Sequence, residues 1–415
     1  MKIGILRENK TPIDKRVPLT PEQCVEVQQK FPHVSIVVQP SKIRCFNDKE
    51  YESQGICLSE DLSDCDILMG VKEERIEDLI EGKKYLIFSH VIKKQPYNRK
   101  LLQAILKKNI QLMDYEVLTN KEGFRIIGFG RFAGLVGAYS GLRAFGIRNQ
   151  LFDLKPAHEC ENLAEMLINL DTINLPPLKI AVTGDGRVAN GVLEILNYLK
   201  ITRLTPEQYL QFENLPVPVY VQLLPGNYVR RKDDYEFDLF HFFTHPAMYQ
   251  NTFIPFAETT DLLLAAAYWD PKAPVLFTPG DMKSESFRIS VISDITCDIE
   301  GSIPSTKRSS TIDEPYYDYN PVTEEMEPAF SSAKNITVQA VDNLPCELPK
   351  DASLDFGRNL IDKVFPGLFG EDTDEIIERA TITKNGKLTQ RFSYLQGFVD
   401  EILFKYPFDE SDGKG

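Results

Sequence analysis

Short apolar runs alternate with amphipathic stretches along the first 120 residues. The runs predict strands at Lys2–Leu6, Val34–Val38, Ile67–Val71, Tyr85–Phe88 and Gln111–Met113. Between them, helical spacing covers Pro21–Phe31, behind Thr20 as a cap residue, and Tyr97–Lys108. Strands that are apolar throughout and separated by helices predict a parallel sheet covered on both faces.

A second set of elements follows. The stretch GFGRFAGLVGAYSGLRAFG (128–146) reads as a helix with enough small residues to pack against a close neighbour or to act as a hinge between domains. A polar helix is expected over 158–171, then a buried strand at Leu178–Thr183 that runs into GDGRVANG and a helix over 191–200. The region 205–255 is aromatic-rich and irregular in pattern. Asp261–Ala267, Ile289–Ile292 and Ile336–Val341 read as further strands, and 352–364 and 388–404 as helices. The Pro-, Ser- and acid-rich segment 301–330 reads as a surface excursion, and the tail DESDGKG as disordered. The pattern is that of an α/β protein of doubly wound parallel sheets.

Composition narrows the class. The 415 residues, 42% hydrophobic and 26% charged, suffice for two or three cores. With 47 Lys+Arg against 61 Asp+Glu the formal charge is −14, which disfavours nucleic acid and anionic lipid as partners. No apolar run approaches the ~20 residues of a membrane span, and charge in MKIGILRENK interrupts any secretory core. The seven cysteines form no CxxC pair, a usage expected of reduced thiols in the cytoplasm.

Two places carry candidate chemistry. Gly184, Gly186 and Gly191 lie between a strand and a helix, the context in which a glycine turn admits a dinucleotide pyrophosphate at a helix N-terminus. Their spacing, G-x-G-x-x-x-x-G, departs from the usual fingerprint. An acid that would read an NAD ribose is missing after the next strand, where Thr205 stands with Arg203 nearby. Arg203 leans toward a phosphorylated cofactor, with a surface cation as the other reading. In the first domain, charged residues collect where strands end: Arg7 and Glu8, Lys72 and Glu73, His90, and Glu116. Ligands bind outside such strand ends in open parallel sheets. A lysine and a histidine there can share acid/base work, and Arg16 and Arg125 can fork onto carboxylates. HFFTH (241–245) lacks the glutamate and third ligand of a metal motif, so no metal is expected.

The opening MKIGILRENKTPIDKRVPLTP resembles the start of the alanine dehydrogenase, transhydrogenase and saccharopine dehydrogenase superfamily. GVKE (70–73), FSHVIK (88–93), DYE (114–116), GFRIIGFGRFAG (123–134), AAYWDPKAPVLFT (266–278), SDITCDIEGSI (293–303) and DNLPCELPKDAS (342–353) narrow the resemblance. They point to the lysine-forming saccharopine dehydrogenases and the lysine–ketoglutarate reductase domain, leaving about 195–255 poorly matched. The resemblance implies two Rossmann-like domains with the active site in the cleft between them. The substrate domain would be discontinuous, 1–133 plus 333–415, around a dinucleotide domain at 134–332. It implies Lys72 and His90 as the acid/base pair, tuned by Glu73 and Glu116. Arg16, Arg125, Lys93 and Asp294 fall to the substrate. Gly184, Gly186, Arg187, Gly191, Arg203 and Tyr268 fall to NAD or NADP. The implied reaction interconverts saccharopine with L-lysine and 2-oxoglutarate, in a monomer or small homo-oligomer. An alanine dehydrogenase-like enzyme and a non-catalytic dinucleotide-binding regulator stay open beside it.

Overall fold

The computed structural model describes residues 1–9, 11–212 and 215–400. The chain divides into two compact units, Met1–Gly128 with the chain from Ser353 onward, and Phe129–Ala352.

In the first stretch of chain the strands are β1 (Lys2–Ile5), β2 (Ser35–Val38), β3 (Cys57–Leu58), β4 (Ile67–Lys72), β5 (Lys84–Phe88) and β6 (Gln111–Asp114). Helix α1 (Pro21–Lys30) starts at a capping box in which Thr20 accepts from the Gln23 amide, and α2 (Pro96–Lys107) precedes β6. In the middle stretch come helix α3 (Gly130–Arg148), β7 (Lys179–Thr183), α4 (Arg187–Tyr198), β8 (Thr202–Leu204) and β9 (Val219–Leu223). After them lie β10 (Val229–Arg231), α5 (Leu239–Thr244), β11 (Tyr249–Asn251), β12 (Leu262–Ala265) and β13 (Val291–Asp294). β14 (Tyr316–Tyr319), β15 (Met326–Glu327), β16 (Ile336–Gln339) and α6 (Pro349–Asn359) follow, and the chain returns with β17 (Thr381–Lys384) and β18 (Lys387–Leu388).

The first unit's sheet runs β18-β17-β6-β5-β4-β1-β2-β3. Its strands β1 to β6 are parallel, and β17 and β18 add an antiparallel edge. The second unit's sheet runs β15-β14-β16-β13-β12-β7-β9-β8, parallel from β16 to β8 with an antiparallel edge at β14 and β15. Both are eight-stranded, parallel-dominant α/β sheets. Such strands are buried on both faces, and β7, β12 and β13 are buried at every position.

Three expectations change. The irregular region 205–255 supplies β9, which inserts beside β7, and the hairpin β10–β11. Prolines 216 and 218 hide the β9 pattern from a simple apolar count, yet Val219, Tyr220 and Val221 are buried. The supposed surface excursion 301–330 supplies β14, whose Tyr317 and Tyr319 enter the core. Their rings take apolar burial while the Tyr317 hydroxyl donates to the Ser305 carbonyl. The helix expected over 388–404 is instead β18, a 3₁₀ turn at Gln390–Leu395 and a short helix at Gln396–Asp400. Residues 401–404 and the tail DESDGKG lie outside the described residues.

The small residues of 128–146 serve packing inside the second unit. Helix α3 crosses α4 with the two backbones touching: a Cβ on Gly134 would run into the Val188 carbonyl oxygen, and one on Gly191 into that of Arg131. Further along, Gly141 rests on Leu264 and Ser293, and the Ser293 hydroxyl donates to the Gly137 carbonyl at 2.9 Å. Gly191 is thus a helix–helix residue. Gly191→Ala is expected to destabilise the second unit by about 1–3 kcal/mol or more through overpacking. Gly186→Ala, at φ −73 with nothing near its missing Cβ, is expected to stay within about 0.5 kcal/mol. The single tryptophan, Trp269, reports this unit in a denaturant titration; equal midpoints for the two variants would refute the packing account.

Candidate active site

Three adjacent parallel strands of the first unit deliver its charged side chains to one edge. Lys72 is the last residue of β4 and pairs in register with Phe88, the last of β5. His90 follows two residues later in the left-handed region, φ 55 and ψ 8, where a non-glycine residue is strained by about 1 kcal/mol or more. That turn lifts the imidazole out of the strand direction and lays it over the Phe88 ring, with centroids 6.3 Å apart and planes at 15°.

A buried carboxylate holds the turn. Asp114, at the end of β6, accepts the Ser89 amide at 3.0 Å, the Ser89 hydroxyl, and the Glu116 amide at 2.7 Å. One side chain therefore joins FSH to DYE and sets His90 beside Glu116. The His90 Nδ1 lies 3.4 Å from Glu116 Oε2, and Lys93 Nζ lies 3.5 Å from Glu116 Oε1. Arg125 stacks 5.2 Å above Phe88 and donates from Nε to the Ile127 carbonyl at 2.9 Å. Lys72, His90, Glu116, Lys93 and Arg125 thus share one neighbourhood. Ser89 and Asp114 were missed from the sequence, although both lie inside the motifs that carry the resemblance.

The electrostatics follow. Burial raises the Glu116 carboxyl, but the His90 contact and the charges of Lys93 and Arg125 outweigh it and pull the group down to about 2. Its stabilising contribution is present above the ordinary carboxylate range and is lost as pH falls toward 2. Asp114, fully buried, is pushed the other way by desolvation. Arg16 is also buried and forms a two-pronged pair with Asp14, Nε to Oδ1 at 3.0 Å and Nη2 to Oδ2 at 2.6 Å. Glu73 is buried just beyond β4.

In the second unit, Gly184 ends β7 at φ +90, where a Cβ would press on the Ala267 Cα at 3.0 Å. The Thr183 hydroxyl accepts the Ala266 and Ala267 amides at 3.1 and 3.3 Å, tying the end of β12 to this turn. Gly186 is the N-cap of the 12-residue α4, and the space in front of it is open. Arg187 begins the helix and is exposed. Beside the turn lies a cavity of about 270 Å³ bounded by Thr183, Ala265, Tyr268 and Trp269 and, from the aromatic region, Tyr228, Phe242 and Phe243. A backbone free to approach an anion at a helix N-terminus, next to a cavity walled by flat rings, fits a diphosphate joined to a heteroaromatic base.

The remaining predicted residues lie elsewhere. Arg203 is exposed on the edge strand β8, with β9 between it and the glycine strand β7. Strand β9, beside β7, runs out into Leu223, Leu224 and Pro225, so its end offers no ribose-reading acid. Asp294 ends β13 and is buried, accepting from Thr296 Oγ1 and Thr306 Oγ1, each at 2.6 Å, and from the Cys297 amide. Lys93 and Asp294 belong to different units. His241 and His245 stack on one another, and His241 Nδ1 lies 3.1 Å from the Tyr249 hydroxyl. Among the described residues, no helix is long and apolar enough to cross a membrane.

Residues 4–136 match the family model for the alanine dehydrogenase/PNT N-terminal domain. The chain is 29% identical to alpha-aminoadipic semialdehyde synthase of Arabidopsis thaliana over 95% of its own length, spanning 41% of that protein. It is 24% identical to saccharopine dehydrogenase [NAD(+), L-lysine-forming] of Emericella nidulans, covering 86% of this chain and 89% of that one. Among solved structures, an L-alanine dehydrogenase superposes with a TM-score of 0.63 at 13% identity, covering 96% of this chain and 99% of that one, a likeness of fold. The likeness to the alanine dehydrogenase/PNT N-terminal domain thus covers residues 4–136, and the chain spans less than half the length of the alpha-aminoadipic semialdehyde synthases to which it is similar.

Proposed function

We propose that the protein is an NAD(P)-linked oxidoreductase acting on a CH–NH bond, and that it interconverts saccharopine with L-lysine and 2-oxoglutarate. The observation that carries this reading is the gathering of Lys72, His90 and Glu116 at the ends of three adjacent parallel strands. The unit holding them is the substrate side, and the unit from Phe129 to Ala352 the dinucleotide side.

Making or breaking the bond between an amino group and a keto-acid carbon moves several protons. Water must lose one as it adds to an imine carbon, and the departing nitrogen must gain one. Lys72 and His90 exchange those protons. The anionic Glu116 faces the imidazole and holds it in place, while Glu73 supports Lys72 from the next position. Arg125, Lys93 and Arg16 meet the substrate's carboxylates. For Arg16 the Asp14 pair holds the planar fork in one orientation. Asp294, engaged by its own threonines, supports the end of β13.

A bound nicotinamide supplies or accepts the hydride. Gly184, Gly186 and Arg187 would hold its diphosphate, Gly191 lets α4 reach that position, and Tyr268 flanks the aromatic cavity. Arg203 would act at the outer end.

The test is consumption of NADH or NADPH by purified protein with L-lysine and 2-oxoglutarate, with pyruvate and ammonia as the control. Turnover is expected only when lysine and 2-oxoglutarate are both present, and Lys72→Met and His90→Gln should each lower kcat roughly 10²- to 10⁴-fold. Turnover with pyruvate and ammonia alone, or full activity in Lys72→Met, would sink the reading. Separately, either dinucleotide should quench Trp269, which lines the cavity. Gly186→Asp, which puts a carboxylate where the diphosphate is expected, should raise its Kd at least tenfold at unchanged stability. An unchanged Kd would remove the glycine turn from the site.

A further inference from the structure

Glu8 belongs to none of the roles above. It is 7% exposed and follows β1, whose pairing with β4 ends when the Leu6 amide donates to the Met69 carbonyl at 2.8 Å. Beyond that point no strand among the described residues pairs with β4 on this side. Its next amides turn to the Glu8 side chain instead: Val71 N donates to Oε1 at 2.7 Å and Lys72 N to Oε2 at 3.0 Å. The β4–β5 ladder shifts register between Met69 and Lys72, so these two amides belong to a locally irregular stretch. A Cβ on Gly70 would come within 3.3 Å of Oε1, which leaves the carboxylate little room to move.

We propose that Glu8 is a positioning residue for Lys72: both carboxylate oxygens bind consecutive amides at the open end of β4 and thereby fix the backbone from which the Lys72 side chain departs. The proposal rests on the reading of Lys72 as an acid/base group. Gln cannot replace this function, because its amide nitrogen would face one of the two N–H groups donor to donor.

The tie is also pH-sensitive. Burial is the main cause that raises the Glu8 carboxyl, with Asp14 and Glu74 adding to it; the two amides oppose it, and the group settles at about 8. The groups facing it are Asp14, itself paired with Arg16, Glu74 beyond β4, and the Tyr115 phenol, which the Glu8 charge helps to raise, while Lys72 meets it through its backbone amide. Below about 8 the carboxyl carries a proton and one oxygen becomes a poor acceptor, so the grip on β4 strengthens as pH rises. Stability runs the opposite way: with a raised value, the group's contribution is present at low pH and lost as pH climbs through about 8.

Two measurements on the full chain decide the matter. Under the proposed assay, wild-type kcat should rise with a midpoint near pH 8. In Glu8→Gln kcat should be about 10- to 100-fold lower, flat through that midpoint, with KM for lysine and the dinucleotide Kd little changed. Independently of turnover, ¹⁵N-valine and ¹⁵N-lysine labelling should show the Val71 and Lys72 amides shifting together near pH 8. A ¹³C-dimethyl signal of Lys72, assigned by its loss in Lys72→Arg, should follow them. All three shifts should vanish in Glu8→Gln. Amides that do not titrate, a Lys72 signal indifferent to Glu8→Gln, or a Glu8→Gln enzyme with wild-type kcat and pH profile would each overturn the proposal. If wild type does not turn over lysine and 2-oxoglutarate, the functional reading fails while the resonances still judge Glu8.

Discussion

Parallel strands that stop at different lengths leave amides without ladder partners, and buried amides must find acceptors. Both units of this protein meet that constraint with side chains at the carboxyl ends of their strands. Glu8 takes the two amides at the end of β4. Asp114 takes those of Ser89 and Glu116 beyond β5 and β6. Asp294 takes that of Cys297 after β13, and Thr183 those of Ala266 and Ala267 after β12. Every one of these groups is buried. They make the strand ends rigid where an open sheet would fray, and rigid strand ends are what the proposed roles of Lys72 and His90 require beneath them.

The second unit adds a constraint of distance. Its glycine loop leads into α4, and α4 can lie where it does only because glycines let α3 touch it backbone to backbone. Gly184 and Gly186 shape the turn itself, whereas Gly191 acts from the far side of the helix. This explains a spacing that departs from the usual dinucleotide fingerprint. The third glycine answers to the α3 crossing, and so its interval follows the turn of the helix rather than the reach of a phosphate.

Much of this was legible in the sequence. The strands β1, β4, β5, β7 and β12 show as continuous apolar runs because parallel strands are covered on both faces. The strand-end charges Lys72, His90 and Glu116 show because polar residues closing an apolar run are conspicuous. What escaped notice had physical reasons. Strand β9 is framed by prolines and shares its run with Tyr220. Strand β14 is built largely from tyrosines, whose hydroxyls resemble surface chemistry until Tyr316 and Tyr317 are seen donating to the Ser140 and Ser305 carbonyls. Asp114 and Ser89 do not stand out because a side chain that binds backbone shows no partner in a linear pattern. Strand β9 also changes the order of the sheet: Arg203 lies on β8, and β9 stands between it and the glycine strand.

Two glutamates in the first unit show how the same side chain is given opposite tasks. Glu116 meets His90, Lys93 and Arg125, and these cations hold it charged down to about pH 2. Glu8 is closed in by burial with Asp14 and Glu74 near it, and two amide dipoles do not offset that surrounding, so it holds a proton up to about 8. A permanent anion suits the place proposed for Glu116 beside the imidazole, since its charge then never varies over the working range. A carboxyl that titrates near neutrality suits a residue that grips backbone, because the grip can tighten without any atom of the ligand touching it. The cost is borne by the fold: charging Glu8 in its buried position weakens the native state as it strengthens the hold on β4. Stability and strand-end rigidity therefore pull on this one group in opposite directions, and burial, with the acids around it, sets the pH at which the balance turns.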